Sequence, residues 1–397
     1  MPSVCFCFEV HQPYRLRPYS FFDMGAKNDY EDAQHNRDVM QKVAEKCYLP
    51  MNSLLLELIE RHQGRLRVSF SLTGIVIDQF MEYAPEVLDS FRALARTGCV
   101  EFLDETDNHS LACLFSEDEF RGEVMRHRER MRELFGQSPR VFRNTELIYS
   151  NDVARMARDM GYDVILAEGS ESVLGWRSPH FVYAPVRCPG MKLMLRSYSL
   201  SDDIAFRFSN RDWPAYPLMA DTFAGWLHRI KGNGDVVNLF MDYETFGEHQ
   251  WADTGIFDFM RALPDCVLSD PEFDFATVSE AADRYPVRAE LDIPGHVSWA
   301  DAERDLSAWL GNDMQKDAFR ALYECLGLVK YVNDPELNEA WRKLQTSDHL
   351  YYMGTPQSSD GNVHKYFSPY RSPLDAYTNF MNVLADFRIR LFAKANQ

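Results

Sequence analysis

Through the first 280 residues, short runs of apolar, β-branched or aromatic residues recur, separated by longer segments in which apolar residues return every three or four positions. The runs at 4–10, 66–72, 99–103, 140–143, 163–167, 236–241 and 274–278 predict strands, with 193–198 as an additional candidate. Between them, 51–62, 117–135 and 151–160 carry charge on one side and apolar residues at helical spacing, as crossover helices between parallel strands do. Strands alternating with helices predict an α/β fold with a parallel sheet, and a barrel is its natural closure.

Two stretches break the alternation. Residues 170–232 are richer in Trp, Pro, Tyr and Arg and predict long loops with short helices, the kind of segment that carries substrate contacts. From 298 the pattern becomes helix after helix, at 301–311, 313–329, 336–346 and 374–395, interrupted by the polar, Gly- and Pro-containing 354–373. The chain therefore divides into a barrel catalytic domain over 1–297 and a helical domain over 298–397 that completes the cleft. No internal repeat or low-complexity tract is present.

In α/β barrels the site lies at the C-terminal ends of the strands, so polar residues just after a strand run carry the chemistry. The first run leads into Glu9-Val10-His11-Gln12-Pro13, the third contains Glu101 and ends in Asp104-Glu105, the fourth ends in Arg143-Asn144-Thr145-Glu146, and the seventh in Met241-Asp242-Tyr243-Glu244. One strand-end carboxylate alone is more readily a helix cap or a surface ion pair. Four rims bearing acid or histidine together point to a site. Glycoside cleavage needs two carboxyl groups facing one scissile bond, and Glu146 and Asp242 meet that topological requirement.

Composition narrows the partners. The formal net charge is -18, from 60 Asp and Glu against 42 Lys and Arg, which repels a phosphate backbone and argues against nucleic acid and anionic membrane. The opening MPSVCFCFEVHQP has no charged leader, apolar core or cleavage site, and no later stretch reaches the length of a spanning helix, so a soluble, cytoplasmic protein is expected. The cysteines, at 5, 7, 47, 99, 113, 188, 266 and 325, form no C-x-x-C pair and are expected as buried thiols in a reducing compartment.

Three separated motifs, HQP at 11–13, RNTE at 143–146 and MDYETFGEHQW at 241–251, resemble in order the conserved regions of glycoside hydrolase family 57, specifically its α-amylase-type members. VEFLDETDNHSL at 100–111 and SWADAERDLSAWLGN at 298–312 resemble two further regions of that family, so the likeness covers most of the chain. The resemblance implies a seven-stranded (β/α) barrel, an incomplete TIM-like barrel, followed by a helical domain. It also implies retaining chemistry on α-1,4-glucans, with an α-glucan oligo- or polysaccharide as substrate and no cofactor or catalytic metal.

Residue by residue, it implies Glu146 as nucleophile and Asp242 as general acid/base, with His11, Glu101 and Trp299 at sugar subsites. His109, Asp203, Glu244, His249, Trp251 and Asp301 complete the expected substrate-binding set. Retention requires an ionised Glu146, a protonated Asp242 and a carboxyl separation of roughly 5–5.5 Å. Burial, Glu146, and Glu244 or Glu248 would keep the proton on Asp242.

The motifs leave alternatives. Trp176, Trp213, Trp251 and Trp299 would suit stacking on a pyranose face or a buried core, and in the pair Asp202-Asp203 the first reads as a helix cap and the second as a site residue. Asp104, Asp107 and Asn108 stand where α-amylase-type relatives tend to have Gly and paired Tyr, which bears on subsite geometry. A 4-α-glucanotransferase or glucan branching enzyme would use the same carboxylates. A non-catalytic polysaccharide-binding protein, or a metal-dependent carbohydrate deacetylase holding a cation through His11, Asp242 and His249, would use the fold differently. The sequence does not fix an oligomeric state.

Overall fold

The structure, a computed structural model, describes residues 2–26 and 29–396. Its strands are β1 (Ser3–Val10), β2 (Val68–Leu72), β3 (Val100–Phe102), β4 (Val141–Phe142), β5 (Val164–Glu168), β6 (Val182–Pro185), β7 (Lys192–Arg196), β8 (Val236–Asp242), β9 (Asp274–Phe275) and β10 (Val287–Leu291).

Seven of these close a ring of parallel strands. β1 pairs with β2 and β8, β2 with β3, β4 with β5, β5 with β7, and β7 with β8 at Arg196 and Asn238. The gap between β3 and β4 is closed by Asp104, whose N–H donates to the Val141 carbonyl (3.0 Å) and whose carbonyl accepts from Arg143 N–H (2.8 Å). This is the expected seven-stranded barrel, with one exchange of members. The 193–198 candidate enters the ring as β7, whereas 274–278 yields only β9, two residues paired to the start of β1. Strands β6 and β10 were not expected; they form a flap joined to the ring by a single antiparallel contact between Tyr183 and Leu193.

Period-two alternation sorts β1 between two environments. Val4, Phe6, Phe8 and Val10 face outward into the large apolar core with the surrounding helices, and Cys5 and Cys7 face the bore. Glu9 and His11 continue the bore-facing register upward to the mouth. The floor is filled by the short helix Val278–Arg284, whose Val278, Ala281 and Ala282 join Cys5, Cys7, Val164, Leu166 and Phe240 in one buried cluster. Every cysteine is a free thiol.

The C-terminal part shares a core with the β4, β5 and β7 side of the barrel: Phe142, Ile165 and Leu193 lie in the same cluster as Trp309, Leu322, Trp341, Phe380 and Phe387. Its helices are Ser307–Leu310, Asp313–Tyr323, Leu326–Val332, Pro335–Leu344, Asp348–Tyr351, Ser358–Phe367 and Pro373–Ala395. Two differences from the periodic pattern bear on the site. Residues 301–306 are not helical, because Asp301 and Arg304 take left-handed backbone conformations (φ 53° and 51°). The polar 354–373 contains a helix over Ser358–Phe367, and the insertion at 170–232 holds β6, β7 and helices Tyr198–Ala205 and Ala220–His228 besides loops. No helix among the described residues is long and apolar enough to cross a membrane.

Candidate active site

Beyond β4 the chain makes a tight turn, Thr145–Leu147, in which Glu146 and Leu147 both adopt positive φ (57° and 50°). Such conformations cost roughly 1–3 kcal/mol each for non-glycine residues and persist only where surroundings impose them. Here Leu147 is anchored in the buried cluster of the bore. The turn sets the Glu146 carboxylate at the mouth, where Oε2 accepts from Trp299 Nε1 (2.7 Å) and Oε1 lies 3.0 Å from His109 Nε2. The Glu146 carbonyl accepts from the Trp299 backbone N–H (3.3 Å), so one tryptophan holds both ends of the residue.

His109 is wholly buried. Its Nδ1 faces Glu105 (3.5 Å) and Glu9 (3.6 Å), and its ring stacks on His11 with centroids 3.9 Å apart. Burial alone would lower its pKa, but the neighbouring carboxyl groups of Glu105, Glu146 and Glu9 push it well above the usual range and favour its charged form. His11 behaves oppositely: burial and the neighbouring His109 charge lower its pKa, against the pull of Asp348. Its Nδ1 meets Thr73 Oγ1 (3.1 Å) and its Nε2 meets Asp348 Oδ2 (2.8 Å). Asp348 comes from the helical region, which docks here by Ser347 N–H donating to the His109 carbonyl (2.9 Å).

For Glu146 the balance falls toward ionisation. Burial works against the charge, but His109, through its hydrogen bond and its charge, and Trp299 outweigh it and hold the carboxyl below its usual range. Beneath, Arg143 makes a buried ion pair with Glu9 and lies 4.8 Å from the Trp299 ring centroid. Arg196 approaches the same ring at 5.5 Å while pairing with Glu168 (3.0 Å) and Asp202 (2.5 Å). Arg304, in the non-helical 301–306 segment, also pairs with Glu168 and reaches Asp202 at 3.4 Å. Trp299 thus sits in a frame of cations and carboxylates that fixes its indole.

Asp242 ends β8, three strands from β4 around the ring in one direction and four in the other, and so faces Glu146 across the mouth. Its pKa is raised, first by burial and then by the negative charge of Glu146, against the opposing effects of His249, Arg143 and Arg196. Two carboxyl groups on one rim, one displaced toward ionisation and one toward protonation, are what acid/base and nucleophile pairs require.

The remaining expected residues separate. Glu101 lies within β3 and serves the floor: it accepts from Ser69 Oγ (3.0 Å) and from Ser279 N–H (3.1 Å), the latter on the floor helix. The carboxylate that β3 sends toward the mouth is Glu105, hydrogen-bonded by Ser71 (2.7 Å), and the residue that follows the strand end was the stronger signal of the two. His109 supports Glu146 from below and offers no exposed surface to a sugar. Glu244 is buried and accepts from the Tyr48 hydroxyl. Asp203 pairs with Arg207 (2.5 Å), whereas Asp202, on the fifth position of its helix and not a cap, enters the network around Trp299. Asp301 pairs with His364 (3.0 Å).

His249 packs against Tyr366 and Phe367, and Trp251 is 58% exposed with Lys46 over its ring (4.7 Å). Trp176 is almost fully exposed and Trp213 packs edge-on against Trp226. Asp104 binds His127 (2.6 Å) and Tyr162 (2.5 Å), Asp107 pairs with Arg130 (2.9 Å), and Asn108 donates its backbone N–H to Glu123 (3.0 Å). All three contact helix Glu117–Phe135 on the outside of the barrel, so their departure from the motif affects the support of the 105–109 segment.

Asp348 and Tyr351 were not anticipated. Tyr351 has its hydroxyl pKa raised by burial and then by Asp301, Glu146, Asp348 and Asp242, which places it in the field of both mouth carboxylates.

His11, His109 and Asp348, and separately Glu9, Glu105 and His109, bring ligand-type atoms within 4.8 Å of one another. The stacked rings put the in-plane nitrogen lone pairs of His11 and His109 side by side in nearly parallel planes (24°), not converging on one point. Both His11 nitrogens and His109 Nε2 are hydrogen-bonded within the protein, whereas His109 Nδ1 and the Glu9 and Glu105 oxygens facing it make no hydrogen bond. The His11–His109–Asp348 group is therefore poorly arranged to hold a cation.

The sequence model of glycosyl hydrolase family 57 matches residues 5–294 of the chain. The chain is 45% identical over 396 residues to a "Putative alpha-amylase" of Methanocaldococcus jannaschii, covering 97% of this chain and 84% of that protein. A family 57 branching enzyme of Thermococcus kodakaraensis superposes with a TM-score of 0.68 at 12% identity over 100% of this chain and 94% of that one. A 4-alpha-glucanotransferase of Thermococcus litoralis gives 0.66 at 16% identity, covering 88% of this chain but 56% of that one. At these identities the structural likeness speaks for the barrel with its helical region.

Proposed function

The chain belongs to glycosyl hydrolase family 57, and from that premise we propose that it cleaves α-1,4-glucans with retention, Glu146 acting as nucleophile and Asp242 as general acid/base. Residues 1–297 supply the pair, and 298–397 complete the cleft with Trp299, Asp348 and Tyr351. The observation that carries the reading is geometric: Glu146, aimed by Trp299 Nε1 (2.7 Å) and His109 Nε2 (3.0 Å), shares one barrel mouth with Asp242 at the end of β8, and the opposed pKa directions of the two agree with it.

In the first step the ionised Glu146 attacks the anomeric carbon while protonated Asp242 gives its proton to the departing glycosidic oxygen. Trp299 and His109 aim the attacking carboxylate. Formation of the glycosyl ester consumes the Glu146 charge, which is one of the causes holding the Asp242 pKa up. Asp242 consequently becomes more acidic at the intermediate and is ready to take a proton from an incoming hydroxyl.

The test is incubation with maltoheptaose and with amylose, product sizing, and nuclear magnetic resonance of the first-formed anomer. Shorter products with the α configuration are expected, and Glu146→Gln and Asp242→Asn should each lose at least a thousandfold of the activity, by analogy with removal of a catalytic group. Longer products would assign transfer to a sugar hydroxyl by the same carboxylates. Products of β configuration, or activity surviving Glu146→Gln, would end the proposal.

A further inference from the structure

Outside the catalytic pair, the helical region carries aromatic rings that no motif of the chain anticipates. Tyr351, in the field of both Glu146 and Asp242, stacks on His364 (3.7 Å) and approaches Phe367 at 6.5 Å. Phe367 meets Tyr366 edge-on at 5.0 Å. Both rings pack against His249 from the β8 loop, at 5.5 and 5.9 Å, and the Tyr366 hydroxyl lies 3.5 Å from His249 Nδ1. His249 is tied back to the end of β8 by its backbone N–H, which donates to the carbonyl of Glu244 (2.9 Å), two residues after Asp242. The rings thus run outward from the acid/base side of the mouth, and their exposure rises along the way: Tyr351 is partly buried, Phe367 40% exposed and Tyr366 60% exposed.

We propose that Phe367 and Tyr366 form a glucosyl subsite on the leaving-group side of the cleaved bond, with Tyr351 linking it to the catalytic pair. The inference rests on the α-glucan reading above. The group that protonates the leaving oxygen must lie beside the departing sugar, so the surface continuing from Asp242 through His249 receives that half of the chain. A pyranose presents an apolar C–H face that suits an aromatic ring, and Phe367 and Tyr366 offer two adjacent rings on the side of the mouth that carries His249. The same subsite would bind the acceptor if the intermediate passes to a sugar in place of water.

The experiment compares kcat/KM on maltotriose, maltopentaose and maltoheptaose for wild type, Tyr366→Ala, Phe367→Ala and Tyr366→Phe, with Tyr331→Ala as a control at a 75% exposed position elsewhere on the helical region. Each alanine variant should lose roughly three- to tenfold more on the longest substrate than on the shortest. Tyr366→Phe, which keeps the ring face, should retain the wild-type dependence on substrate length, and Tyr331→Ala should follow wild type. Wild-type turnover together with an unchanged length profile in both alanine variants overturns the subsite, and so do losses equal at every length. A wild-type protein that neither cleaves nor binds maltoheptaose in calorimetry overturns the parent reading instead.

Discussion

His109 Nε2 lies 3.0 Å from Glu146 Oε1, and the histidine has no exposed surface. A buried histidine biased toward its charged form thus stands directly behind the proposed nucleophile, with Glu9 and Glu105 on its other side and the His11 ring stacked against it. Fixing a positive charge there keeps Glu146 ionised without exposing it to water. Replacing it by His109→Gln leaves a donor but removes the charge. Glu146 should then bind a proton more readily, and the acid limb of the kcat/KM profile should move to higher pH by about one to three units. An acid limb that stays in place while activity falls would show that His109 only shapes the turn.

Trp299 acts on the same carboxylate by a different route. Its indole donates to Oε2 at 2.7 Å, and its ring is held among Arg143 and Arg196. Trp299→Phe keeps a ring for the guanidinium groups and deletes the donor. A hydrogen bond to a charged group contributes about 1.5–3 kcal/mol, which corresponds to a rise of roughly one to two units in the acid limb. Combined with His109→Gln, the shift should differ from the sum of the two, because both act on one carboxylate. Strict additivity in the pH profiles would contradict the shared geometry.

Six of the seven ring strands, and the strand-end positions of Glu146 and Asp242, were legible in the sequence, because each rests on local periodicity or on a residue adjacent to a strand run. What was not legible has a common physical cause. Asp348 and Tyr351 reach the mouth only through tertiary docking of the 346–351 segment, which carries no strand-end signal. β6 and β10 are short, contain Pro185 or three exposed positions, and lack the apolar run that marks a ring strand. Glu101 lies inside the three-residue β3 and Glu105 beyond its end, so position relative to the strand favours Glu105 at the mouth, whereas the family resemblance draws the assignment to Glu101. The exchange of Asp202 for Asp203 arises because neighbouring positions on a helix point 100° apart and only packing selects between them.

The Arg143–Glu9 pair should reveal how much of the mouth's charge is structural. Both partners are almost fully buried. Removing one leaves the other uncompensated, which costs about 3–5 kcal/mol, whereas replacing both by neutral groups of similar size is often near neutral. Arg143→Met should therefore unfold at markedly lower denaturant, and Glu9→Gln with Arg143→Met should recover a large part of the loss. Equal destabilisation by the single and double changes, read by urea unfolding, would mean that the arginine contributes through its contact with Trp299 and not through Glu9.

Glu244 tests a different property of the mouth, its tolerance of charge. It follows Asp242 by two residues, but it is buried against Tyr48, whose hydroxyl donates to it. Burial first, and the negative Asp242 second, raise its pKa to about 8. The folded protein then retains a proton that the unfolded chain gives up near pH 4.3. The contribution of Glu244 to stability should fall as pH rises from about 4.3 to about 8, by an amount of order 5 kcal/mol, and level off above. Glu244→Gln has no proton to lose and keeps an oxygen to accept from Tyr48, so its stability relative to wild type should be small below pH 4.3 and grow through that window. Thermal or chemical unfolding from pH 4 to 9 measures it. Parallel curves for the two proteins would show that Glu244 ionises freely in the fold, and would return it to consideration as a charged contact for the sugar.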